Sequence, residues 1–115
     1  MKSLHSPDVQ DLKSFADAAP ADFQLLVQAM IGPQGQDASE SFDVVVCSVE
    51  ALRKQVSRGP LIGLHHIVMA RFDFDLLTAT IRAYCTRCEG ATWQEVAQKL
   101  GRLGHWEFDE YRDSG

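Results

Sequence analysis

Two thiols three positions apart, in Cys85-Thr86-Arg87-Cys88, have a spacing that could do chemistry. A CxxC can hold two corners of a tetrahedral zinc site, and zinc wants four. Cys47 with His65 or His66 could complete the set only if the fold gathered them, which would make the chain a small metal-binding regulator or adaptor. The same spacing serves redox exchange where a strand enters a helix, because a helix start lowers a thiol pKa. Here both cysteines fall on the apolar stripe of a predicted helix, near the end where the dipole has the wrong sign. Buried thiols acting as small hydrophobes are the expected role. His65-His66 falls in a predicted strand, so the two imidazoles should point to opposite faces and share no site. One should pack and the other meet solvent. Gly32-Pro33-Gln34-Gly35 lacks the spacing and the lysine of a phosphate loop. No Ser/His/Asp signature occurs, and Cys47 as a nucleophile lacks a histidine that can be placed beside it. Neither catalysis nor a cofactor or metal is expected.

The C-terminal stretch mixes aromatics with acids. Trp106, Phe108 and Tyr111 are interleaved with Glu107, Asp109, Glu110 and Asp113. Aromatics carry much interface energy, and carboxylates around them attract a basic partner. A second acid group, Asp37, Glu40 and Asp43, surrounds a predicted hairpin. The alternative is structural, with Trp106 and Phe108 stapling the C-terminus to the core and the acids merely solvated.

These residues need elements to hold them. Asp22 to Ile31 alternates apolar and polar residues, the pattern of a half-buried strand. Ser41 to Cys47 is a second strand, with β-branched residues on both faces and thus a middle buried on both sides. The Gly-Pro-rich turn between them predicts a hairpin. Ser48 can cap a short helix carrying Leu52 and Val56, stopped by Gly59-Pro60. Leu64 to Phe72 reads as a third strand. Asp73 can cap a helix whose stripe is Leu77, Ile81, Tyr84, Cys85 and Cys88. Thr92-Trp93-Gln94-Glu95 has capping-box spacing, ahead of a stripe of Trp93, Val96, Ala97 and Leu100. The expected fold is a small α+β domain over 22–115, with an antiparallel or mixed sheet of three to four strands on two to three helices. Residues 1–21, polar and holding Pro7 and Pro20, are expected as an arm packed on that domain. The edge at Phe42 and Val44 could pair with a second copy.

Composition narrows the class. The chain has 115 residues, 45 % hydrophobic and 23 % charged, which suits one globular domain and excludes a disordered or collagen-like chain. Its three cysteines do not suggest a disulfide framework. No apolar run is long enough to span a bilayer, and the start lacks a secretion signal, so a cytoplasmic protein with no membrane partner is expected. Net charge is −5, unevenly spread. Residues 1–50 hold eight acids and two bases, residues 51–104 four and eight, and residues 105–115 four and one. That balance argues against nucleic acid, which needs clustered Lys and Arg, and permits a basic protein partner.

Four stretches carry a family resemblance. They are Leu4-His5-Ser6-Pro7-Asp8-Val9; Met30 to Gly35 running into Glu40-Ser41-Phe42-Asp43 and Val46-Cys47; Trp93 to Leu100; and Trp106 to Tyr111. In that order they resemble immunity protein family eight of bacterial polymorphic toxin systems. The chain departs from the family pattern after Cys47, at Ser48-Val49-Glu50-Ala51-Leu52, and in the order of Asp109-Glu110. The resemblance implies a small antidote that binds a cognate toxin domain and blocks it without catalysis. A basic, nuclease-like toxin would suit the acids. The partner-binding residues expected on this reading are Asp37, Glu40, Asp43, Trp106, Glu107, Asp109, Glu110, Tyr111 and Asp113.

Overall fold

The computed structural model describes residues 1–33 and 35–107. Phe108, Asp109, Glu110, Tyr111 and Asp113 lie outside the described residues. The elements are β1 (Ser3–His5), α1 (Leu12–Ala18), β2 (Gln24–Ile31), β3 (Glu40–Ser48), α2 (Val49–Val56), β4 (His66–Met69), α3 (Phe74–Arg87), α4 (Trp93–Leu100) and β5 (His105–Trp106). This is a small α+β domain, with five strands and four helices among the described residues, one more of each than expected.

β3 is the centre of a mixed sheet. Its one side pairs antiparallel with β2, from Gln24↔Cys47 to Ile31↔Glu40, closing the predicted hairpin. Its other side is shared end to end. β5 pairs antiparallel with Phe42 and Asp43, and β4 pairs parallel from Val45 to Ser48. The Phe42–Val44 segment therefore has no free edge for a second copy: β2 occupies one side, and β5 and then β4 the other. The expected pairing of copies there is corrected.

Period two sorts the sheet's faces. Leu25, Val27 and Ala29 lie beside Val46, Val44 and Phe42, and all six are buried. On them pack Leu12 of α1, Leu77 and Ile81 of α3, and Ala97 and Leu100 of α4. The opposite face carries Leu26, Gln28, Met30, Ser41, Asp43 and Val45, all half-buried. Burial on both sides of β3 falls at its end, where Val46, Cys47 and Ser48 are all buried, rather than in its middle. α2 follows directly and packs on β3 and β4.

Residues 1–21, expected as an arm, hold β1 and α1. β1 pairs antiparallel with the end of β2, and Asp11 caps α1 by accepting from the Lys13 N–H at 3.1 Å. The three expected caps are in place. Ser48 Oγ accepts from Ala51 N, Asp73 Oδ1 from Leu76 N, and Thr92 Oγ1 from Glu95 N. Glu95 Oε2 reaches one residue past the N-cap, accepting from Ala91 N at 2.8 Å, so the capping box is shifted by one residue. Lys54 of α2 forms an ion pair with Asp22, which holds that carboxyl below the usual carboxylate range.

The third strand is shorter than expected because His65 takes φ 57°, a left-handed conformation uncommon for a residue with a Cβ. β4 thus begins at His66. The two imidazoles are not alternate strand positions, and both are half-buried. A carbonyl can only accept, so His65 Nε2 donates to Gly101 O at 2.6 Å and His66 Nδ1 to Leu64 O at 2.7 Å. Neither ring is simply solvated, contrary to expectation.

Candidate functional site

The thiols sit where the sequence places them. Cys47 is fully buried in β3, and Cys85 and Cys88 are half-buried at the end of α3. Among the described residues no three His, Cys, Asp or Glu side chains gather to hold a metal ion. Burial pushes all three thiols above their ordinary value of 9.0. They stay protonated at neutral pH, which makes them poor nucleophiles. Ionisation favours the unfolded chain, where the thiols are hydrated. Stability should therefore hold through neutral pH and fall as pH climbs past about 9. Urea titrations at pH 7.5 and 10 check this. Equal midpoints for the wild type, or an unchanged alkaline loss when Cys47, Cys85 and Cys88 are all replaced by Ala, would discard the thiols as its source.

Cys85 and Cys88 also line a groove of about 760 Å³ between the N-terminal residues, the end of β2 and the α3–α4 corner. Lys2, Arg82, Thr86 and Glu89 provide its polar lining, and Ile31, Trp93, Val96 and Leu100 its apolar lining. Both cysteines remain wall residues there.

The acids expected to bind a partner come together at the start of β3. Glu40 Oε2 accepts from the Trp106 indole N–H at 2.6 Å. Asp43 Oδ1 accepts from Ser41 Oγ at 2.8 Å, and Glu107 Oε1 from the Ser41 N–H at 2.9 Å. Ser41 O accepts in turn from the Glu107 N–H at 3.2 Å, so the ladder runs one residue past β5. Asp37 is exposed on the hairpin loop, with no hydrogen bond or ion pair to these acids among the described residues.

The pleat divides this set. Trp106 and Phe42 are register partners on the helix-covered face, stacked at 6.2 Å with an interplanar angle of 8°. Trp93 meets Phe42 edge-on at 6.5 Å. Trp106 is only 6 % exposed, so it is a core anchor and not a surface contact. Glu40 is committed to holding it. Asp43 belongs to the opposite face, and Glu107 is exposed. Sequence reasoning put Trp106 among the contacts because two-residue β5 carries no period that says which way its side chains point, and Glu40 because its indole partner lies 66 positions away.

The family comparison bears on the same residues. The family model described as Immunity protein 8 matches residues 1–111. The chain belongs to the Immunity protein 8 family. The match takes in the five strands and four helices of the described residues and every candidate acid except Asp113. No curated protein and no solved structure matches the chain. Membership in Immunity protein 8 implies a toxin as partner in general terms, and no helix among the described residues is long and apolar enough to cross a membrane.

Proposed function

We propose that this Immunity protein 8 chain is a cytoplasmic antidote that neutralises a cognate toxin domain by direct contact, with no catalysis of its own. The observation that carries the reading is the family match across residues 1–111. The supporting geometry is the meeting of Asp43 and Glu107 at Ser41, beside the Glu40–Trp106 bond, with Asp37 exposed on the hairpin loop. Asp109, Glu110, Tyr111 and Asp113 extend the same proposal beyond the described residues. A protein exposing 7426 Å² can give up the ~800 Å² of a standard interface from one face. Carboxylates on that face suit a basic toxin, such as one that grips phosphate backbones.

The test is capture of the partner from the source strain, followed by inhibition with purified components. A stoichiometric partner carrying a toxin domain, blocked at equimolar antidote, is the expected result. A toxin that keeps full activity in the presence of excess chain would overturn the reading.

Two substitutions separate contact from scaffold. Asp37→Lys should leave the melting temperature unchanged and slow association about tenfold at low salt, less at high salt. Glu40→Ala should instead remove the carboxylate to which the Trp106 indole N–H donates and cost about 1–3 kcal/mol of stability. Stopped-flow association and thermal melts read the two effects. An on-rate for Asp37→Lys equal to wild type at both salts would remove the hairpin loop from the interface.

A further inference from the structure

The acids occupy only half of the edge they stand on. β5 and β4 follow one another along the same side of β3, and the junction is closed by the His65 and His105 rings, 6.1 Å apart and edge-on. Beyond that junction the surface changes from acidic to apolar. Ile62 is 88 % exposed, Leu64 60 % and Val68 44 %. The loop before β4 is compact: Leu64 N–H donates to Ile62 O at 2.8 Å, and Leu64 O accepts from His66. Ile62 and Leu64 are thus held at the entrance of β4.

Among the described residues β4 is an edge strand with nothing paired on its outer side. Exposed edges are commonly blunted by keeping the strand short, by lysine, by proline or by a bulge. β4 is short, at four residues, but His66-Ile67-Val68-Met69 has neither lysine nor proline and pairs with β3 without interruption. Apolar side chains beside an unpaired ladder fit an added strand, which takes affinity from main-chain bonds and specificity from side-chain contacts. A charged rim against an apolar centre is also how specific interfaces divide labour, charge setting association and apolar anchors setting dissociation.

We infer that the outer edge of β4, with Ile62, Leu64 and Val68, is the apolar half of the toxin-docking surface. It continues the Asp43–Glu107 half across the His65–His105 contact. The inference rests on the antidote reading, which supplies the occupant. The occupant is a toxin-domain segment with apolar residues to lay along β4 and basic residues to meet the carboxylates.

The probe is the purified toxin domain that the wild-type chain inhibits. Ile62→Asp and Val68→Asp should each speed dissociation at least tenfold with little change in on-rate, the converse of Asp37→Lys. Leu76→Asp, at an apolar position 55 % exposed on α3 in the helical layer, should leave both rates unchanged. Amide exchange at residues 66–69 should slow in the complex. A normal off-rate for both β4-side variants, with unchanged exchange, would overturn the assignment while leaving the antidote reading intact. If the wild-type chain inhibits no toxin domain of its source strain, both readings fall. If sedimentation shows a dimer that Ile62→Asp dissociates while the toxin off-rate stays normal, the occupant is a second copy and the assignment falls.

Discussion

Phe42→Ala should lower the melting temperature by about 15 °C. Phe42 is fully buried, stacked on Trp106 and edge-on to Trp93. Truncating a buried phenylalanine costs ~3–5 kcal/mol, transfer and cavity together. For a domain of this size each kcal/mol moves the midpoint by roughly 4 °C. Total stability is only about 5–15 kcal/mol, so the loss is a large share. The effect should also reach the far end of the chain, because Phe42 is the register partner of Trp106. Indole fluorescence should shift red before the main unfolding transition, as β5 loses the ring it stacks on. A melting loss below about 4 °C would show that the stack contributes little beyond filling space.

Gly32→Ala is the second large effect. A Cβ at Gly32 would lie 1.9 Å from the Ala38 carbonyl oxygen and 3.0 Å from Ser39 Cα. Both are backbone atoms, so no side chain can swing aside. The hairpin must open, at a cost of about 3 kcal/mol or more. Gly35, three residues on, offers the contrast. Nothing lies within 4 Å of its Cβ position, but its φ of +81° disfavours any side chain. Gly35→Ala should cost only about 1 kcal/mol. Chemical denaturation of the two variants measures the difference. Equal losses would mean that φ, not the close approach of residues 32 and 38, shapes this turn.

The sequence was legible where a period had room to repeat. β2 and the hairpin were readable because Phe23, Leu25, Val27, Ala29 and Ile31 repeat every second residue, and all five are buried. The stripe of α3 was readable from Leu77 and Ile81, one turn apart. β1 and β5 were not, since strands of three and two residues are too short to show alternation. α1 was hidden by composition: seven residues between prolines, of which only Leu12 is buried. The shortened β4 depended on His65 at positive φ, a conformation stabilised by a hydrogen bond to Gly101, thirty-six positions away. Among the candidate contacts, clustering of acids was visible in the sequence. Which of them face inward was not, because that follows from the β3–β5 register.

The end-to-end sharing of β3 also sets an order of events in time. The β2–β3 hairpin closes across the short turn at residues 32–39, so it can form while the rest of the chain is still loose. β4 must reach back about twenty residues to the same strand, and β5 about sixty. Each longer closure carries a larger entropic cost, roughly 1–2 kcal/mol more for β5 than for the hairpin. On loop closure alone, the strand that seats Trp106 is expected to dock last. Until it does, one side of β3 stands open at Phe42 and Asp43, beside the acids. A newly made chain would hold its hairpin before it could set Glu107 against Ser41. The interval between those two events would separate synthesis of the chain from completion of its acidic edge.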